Sequence, residues 1–180
     1  MATWNIDTAH TSADFVVKHM MITTVRGTFE NVTGTINFDP ANPAATTVEA
    51  KIEAATVNTG VNDRDNHLRS ADFFDVANHP HITFVSKRVD VADKDHAKLV
   101  GDLTMRGVTK EVTLDVEFTG TGKNPWGMQV AGFSATTKVN REDFGLMWNQ
   151  ALEAGGVLVS REVKIELDVQ AILVTETQPA

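Results

Sequence analysis

The chain has no cysteine, so disulfides, thiolate nucleophiles and cysteine-ligated zinc are all excluded. No apolar run approaches the roughly 20 residues that a membrane-spanning helix requires. Positive charge is scarce as well: 16 Lys and Arg stand against 24 Asp and Glu, leaving a net charge of −8. Nucleic-acid backbones and anionic membrane surfaces select a surplus of cations on one face, so neither is an expected partner. The opening MATWNIDTAHTS lacks a basic segment followed by an apolar one. The chain is therefore expected in the cytoplasm, or as the mature form of a periplasmic or secreted protein. Motifs of chemistry are missing too. There is no GxSxG elbow, no Walker or GxGxxG loop, and no HExxH.

What the chain does contain is alternation. Val48, Ala50, Ile52 and Ala54 interleave with Thr47, Glu49, Lys51 and Glu53. Leu99, Gly101, Leu103 and Met105 form a second set, and Val112, Leu114, Val116 and Phe118 a third. The longest runs from Val163 through Ile165, Leu167, Val169 and Ala171 to Leu173. Period two is the mark of strands with one face in a core and one in water. Asp39-Pro40-Ala41-Asn42-Pro43, Asp93-Lys94-Asp95 and Arg106-Gly107 read as tight connections, and Gly120 to Pro125 as a looser turn. Phase shifts near Val32 and near Lys87 read as β-bulges. About eight to ten strands joined by short turns favour an antiparallel barrel or sandwich. The stretch from Ser160 to Val174, fully extended, would span about 50 Å, so such a barrel is tall.

One stretch breaks the pattern. Arg64 to Asp75, RDNHLRSADFFD, packs Arg64, His67, Arg69 and three aspartates around Leu68, Phe73 and Phe74. It reads as a short helix within Asn62 to Ser70 lying across a barrel end, apolar side chains inward. Asp63, Asp65, Glu142 and Asp143 read as solvated or capping, and His79-Pro80-His81 as a strand start rather than a metal site. Met20-Met21-Ile22 and the run from Phe144 to Trp148, continuing through Asn149 to Gly156, are apolar where loops are ordinarily polar. They form either a core plug or the lining of a pocket entrance.

Several of these segments resemble the YceI-like family. They are Trp4-Asn5-Ile6-Asp7 with His10 and Ser12, Lys18 to Gly34 (KHMMITTVRGTFENVTG) and Val57 to Phe74 (VNTGVNDRDNHLRSADFF). Leu99 to Val112 (LVGDLTMRGVTKEV) and Ala131 to Gly145 (AGFSATTKVNREDFG) complete the set, in order from residue 4 to about 171. Val32 and Arg161 depart from the pattern, standing where an aromatic and an acid are usual. The resemblance implies an all-β, extended antiparallel lipocalin-like β-barrel with one or two short helices. It implies an apolar pore holding a polyisoprenoid, and homodimers.

The expectation is a single domain over 1–174 with a loose tail over 175–180. It binds a polyprenyl or quinone-type lipid for carriage or storage, without catalysis, cofactor, metal or stable membrane insertion. The pore wall is expected to include Phe15, Val17, Phe29, Ile36, Phe38, Ile52, Phe84, Leu103, Met105, Leu114, Val116 and Phe133. Met20, Met21, Ile22, Phe73, Phe74, Phe144, Met147 and Trp148 are expected at its mouth. Arg64, His67 and Arg141 are the candidates for head-group contact. Two alternatives compete: an enzyme acting on an isoprenoid head group, and a stress-related partner protein with a solidly packed barrel.

Overall fold

A computed structural model describes residues 2–150 and 158–175. Ten strands form one antiparallel sheet: β1 (Ala2–Ile6), β2 (Ser12–His19), β3 (Thr23–Phe29), β4 (Thr33–Phe38), β5 (Thr47–Glu53), β6 (His81–Val91), β7 (His96–Met105), β8 (Val108–Lys123), β9 (Gln129–Asn140) and β10 (Glu162–Leu173). One α-helix, α1 (Asn62–Arg69), interrupts the series between β5 and β6. The order around the sheet is β1-β4-β5-β6-β7-β8-β9-β10, and pairing of β1 with β10 closes those eight strands into a barrel.

The remaining two strands extend the wall. β10 is shared along one edge: Lys164 to Asp168 pair with β2, and Ala171 to Leu173 pair with β1. The chain leaves the sheet between β1 and β2, and again between β3 and β4. Each long run is thereby cut into two strands with different neighbours. β3 pairs with β2, while β4 lies between β1 and β5. The phase shift near Val32 is therefore a strand end and not a bulge. Asn31 turns there with φ 57° and Val32 is buried, so the chain changes partner at that point.

The shift near Lys87 is a bulge, with the β6–β7 register slipping between Ser86 and Arg88. A second slip between Phe118 and Gly120 lets β8 continue to Lys123. The looser turn expected over Gly120 to Pro125 consequently starts later. Asn124 anchors it, its side-chain oxygen accepting from the backbone N–H groups of Trp126 (3.1 Å) and Met128 (2.9 Å). Bulges of this kind bend and twist a strand, which helps long strands wrap a closed barrel.

Helix α1 is fastened by arginine. Arg69 donates to the carbonyls of Ala55 (2.8 Å) and Val57 (3.1 Å), and Arg64 donates to the hydroxyl and carbonyl of Thr59. Asp65, expected to be solvated or capping, is buried at 5% exposure. Its carboxylate accepts from the N–H and hydroxyl of Thr59, which pins the segment leading into the helix. Residues 151–157 and the tail from 176 lie outside the described residues, and with them most of the Asn149 to Gly156 run.

Tight strand contacts limit substitution. A Cβ on Gly101 would lie 2.6 Å from the Val85 carbonyl oxygen and 2.5 Å from the Phe84 ring, whereas one on Gly122 meets nothing within 4 Å. Gly101→Ala is expected to cost about 1–3 kcal/mol through overpacking. Gly122→Ala should leave thermal unfolding nearly unchanged. Equal melting temperatures for the two would contradict the close packing of β6 on β7.

Candidate functional site

Burial is divided among three clusters rather than gathered into one solid core. One gathers at the helix end around Phe29, Val57, Phe73, Phe74, Phe144 and Leu146. A second surrounds Trp4, Ile36 and Phe38 at the other end, and the third holds Phe84, Leu99, Leu114 and Ala135 along the wall. Between them lies a cavity of about 630 Å³, within the roughly 300–1,000 Å³ of small-molecule pockets. Its walls reach His67, Arg141 and Trp148 at the helix end and Val91, Asp93 and His96 at the opposite end. A barrel filled by its own side chains is therefore not what forms.

All twelve expected wall residues, from Phe15 to Phe133, line this cavity, as do Phe73, Phe74 and Trp148. Val48, Leu99, Val112, Phe118, Val163, Ile165, Leu167 and Val169 line it as well. They belong to the same alternating sets, so the signal for them was present in the sequence. Leu158 and Val159 also contribute, from an irregular segment that carries no periodic signal. Phe144 is 1% exposed, yet it packs in the helix-end core and does not reach the cavity. Met20, Met21, Ile22 and Met147 lie at the helix end but off the wall, exposed at 43%, 65%, 76% and 59%. Apolar character alone could not separate these outward loop tips from inward ones.

The polar candidates converge on the helix end. Arg64 and His67 stand one turn apart on α1 and both line the cavity. The His67 ring packs edge-on against Phe73 and Trp148, with centroids 5.1 and 4.6 Å away, while its Nε2 lies 2.8 Å from the Asp72 carboxylate. Arg141, 4% exposed, follows the last residue of β9. It donates to the carbonyls of Leu146 (2.6 Å), Trp148 (2.9 Å), Ser160 (2.9 Å) and Val159 (3.3 Å). Its guanidinium also sits 5.9 Å from the Phe73 ring centroid. Burial pushes its pKa below the ordinary arginine value, partly offset by Glu142. Arg141 is thus a clamp on the loop that shapes this rim. Among the described residues no group of His, Asp and Glu is arranged to hold a metal ion.

A profile of the YceI-like domain matches residues 4–171. The chain belongs to the YceI-like family. It is 41% identical over 171 residues to the UPF0312 protein SAS2572 of Staphylococcus aureus, covering 94% of this chain and 97% of that one. Its fold is similar to that of BcnA from Burkholderia cenocepacia, with a TM-score of 0.81, 24% identity, and coverage of 92% and 98%. It is also similar in fold to a polyisoprenoid-binding domain from Saccharophagus degradans, with a TM-score of 0.69, 14% identity, and coverage of 97% and 100%.

Two substitutions probe the two rims of this YceI-like barrel. Lysine cannot span the four carbonyls that Arg141 holds, so Arg141→Lys should destabilise by about 3 kcal/mol in chemical denaturation. Near-unchanged stability would show that the clamp is dispensable. At the far rim, Asp93 hydrogen-bonds His96 at 2.9 Å and raises its pKa. A raised folded-state value means that the stabilising effect is complete below the unfolded pKa. It fades as pH rises through the folded value. The His96 titration followed by NMR should therefore have a midpoint above the ordinary value, and Asp93→Asn should bring it down.

Proposed function

We propose that this barrel binds an isoprenoid lipid of the polyprenyl or quinone type along its axis, for carriage or storage. The carrying observation is the 630 Å³ cavity, walled by alternate apolar side chains and bounded by polar groups at its two rims. A lengthwise apolar space suits a chain of methyl-branched methylenes, because each buried methylene contributes about 0.8 kcal/mol. A few isoprene units would reach tight binding, with ordering losses keeping the total well below the simple sum. The similarity in fold to a polyisoprenoid-binding domain supports the reading. Arg64 and His67 face the cavity at the helix end and are the groups positioned to meet a head group, while Arg141 holds the rim around them.

Organic extraction and mass spectrometry of the purified protein should yield a series of masses spaced by isoprene units. Ala135 lies on the wall among Phe84, Leu99 and Leu114, so Ala135→Phe would occupy cavity space. Displacing two buried methylenes corresponds to about a tenfold loss of affinity. The melting temperature of the delipidated variant should hold, since the added ring enters a void. Unchanged lipid content in that variant would count decisively against the axial site.

A further inference from the structure

The turn between β2 and β3 puts the wrong residues in a demanding conformation. His19 pairs with Thr23 across a three-residue hairpin loop, and within it the Ile22 N–H donates to the His19 carbonyl at 3.1 Å, closing a β-turn. Met20 and Met21 occupy its centre with φ of 54° and 60°. Two consecutive positive φ values define the type I′ turn, for which Asn-Gly is the preferred pair. Among the described residues, the other non-glycine positions with positive φ are Asn31, Asp75 and Arg106. Each makes a side-chain hydrogen bond there: Asn31 to Glu53, Asp75 with Asn78, and Arg106 to the carbonyls of Gly145 and Ala71. Methionine can do nothing of the kind. Met20, Met21 and Ile22 are instead exposed at 43%, 65% and 76%, so the tip is costly both in conformation and in hydration.

The tip is joined to the cavity rim. Met20 donates its N–H to the Leu158 carbonyl at 2.7 Å, and His19 bridges to Val159. His19, Leu158 and Val159 all line the cavity. We infer that the Met20-Met21-Ile22 tip docks the helix-end rim transiently onto a phospholipid surface, so that an isoprenoid passes between bilayer and barrel without crossing water. The inference rests on the proposed lipid cargo. Three side chains on a three-residue hairpin tip cannot offer the roughly 800 Å² per partner of a standard protein interface, which argues against a second copy as the occupant. They can insert into the headgroup–acyl boundary, where flexible Met and branched Ile exchange water for hydrocarbon. Beside the tip, the Lys18 ammonium bonds only the Thr24 hydroxyl (2.8 Å) among the described residues, which leaves two of its donors for polar groups of the lipid surface. With a net charge of −8, the contact must be apolar in the main, so neutral phosphatidylcholine is the appropriate surface.

The test replaces Met20→Asn together with Met21→Gly. This pair suits the turn, so folding is protected and the melting temperature should stay level or rise. Co-sedimentation with phosphatidylcholine vesicles, and isoprenoid transfer to acceptor vesicles, should each fall about tenfold, the equivalent of two buried methylenes. Both should be insensitive to salt, and the lipid content of the purified variant should not change. Trp126, 77% exposed in the turn at the opposite end, supplies a control, and Trp126→Ser should leave vesicle binding intact. Unchanged vesicle association in the methionine variant overturns the inference. So does a loss that follows Trp126→Ser instead, or a change from dimer to monomer in gel filtration, which would make a second copy the occupant. If the purified protein carries no isoprenoid, the cargo reading fails. Vesicle co-sedimentation of the empty protein and its variant then still decides the docking.

Discussion

The divided edge of β10 is the constraint on which the rest depends. A single strand hydrogen-bonds β2 over its first half and β1 over its second, with β9 along its entire other side. Ring closure through β1 satisfies backbone groups that would otherwise form an open edge. The closure is made of backbone hydrogen bonds, so the ring itself does not depend on which side chains face inward. Side chains then decide only what the interior contains. Here the alternate apolar residues coat the wall around a cavity of about 630 Å³.

A wall of apolar side chains around a cavity of about 630 Å³ favours an apolar occupant, because each methylene that leaves water for such a wall contributes about 0.8 kcal/mol. Any ligand that binds the folded barrel and not the unfolded chain raises its melting temperature by mass action.

Much of this was legible from the chain alone because a barrel obeys a simple periodicity. Val112, Leu114, Val116 and Phe118 alternate with acidic and hydroxyl residues, and the structure turns the first set inward and the second outward. The bulge at Lys87 was legible for the same reason, since one extra residue inverts the phase. Val32 shows the limit, because a strand that ends and restarts produces the same inversion as a bulge. Long-range pairing alone distinguishes them. Loops were less readable still. Phe73 and Met147 carry similar hydrophobicity, yet one is 5% exposed and the other 59%. What separates them is how the irregular chain is fastened, which follows from hydrogen bonds to distant carbonyls.

Those fastenings give the helix end its electrostatic character. Arg64, Arg69, Arg106 and Arg141 donate to backbone carbonyls of residues 55 to 59, 71 and 145 to 160. None of the four forms an ion pair among the described residues, whereas the cations on the barrel's outer face, such as Lys87 and Lys98, mostly do. Irregular segments leave carbonyls that no neighbouring strand can satisfy, and a guanidinium's five donors can serve several at once. Carbonyl dipoles solvate the charge without cancelling it. Closing that end thus places guanidinium groups satisfied by carbonyls at one rim of the apolar cavity, alongside the carboxylates of Asp63 and Asp65. Under the proposed function this arrangement gives a threaded lipid a direction, with the hydrocarbon in the interior and the head group towards Arg64 and His67, which face the cavity.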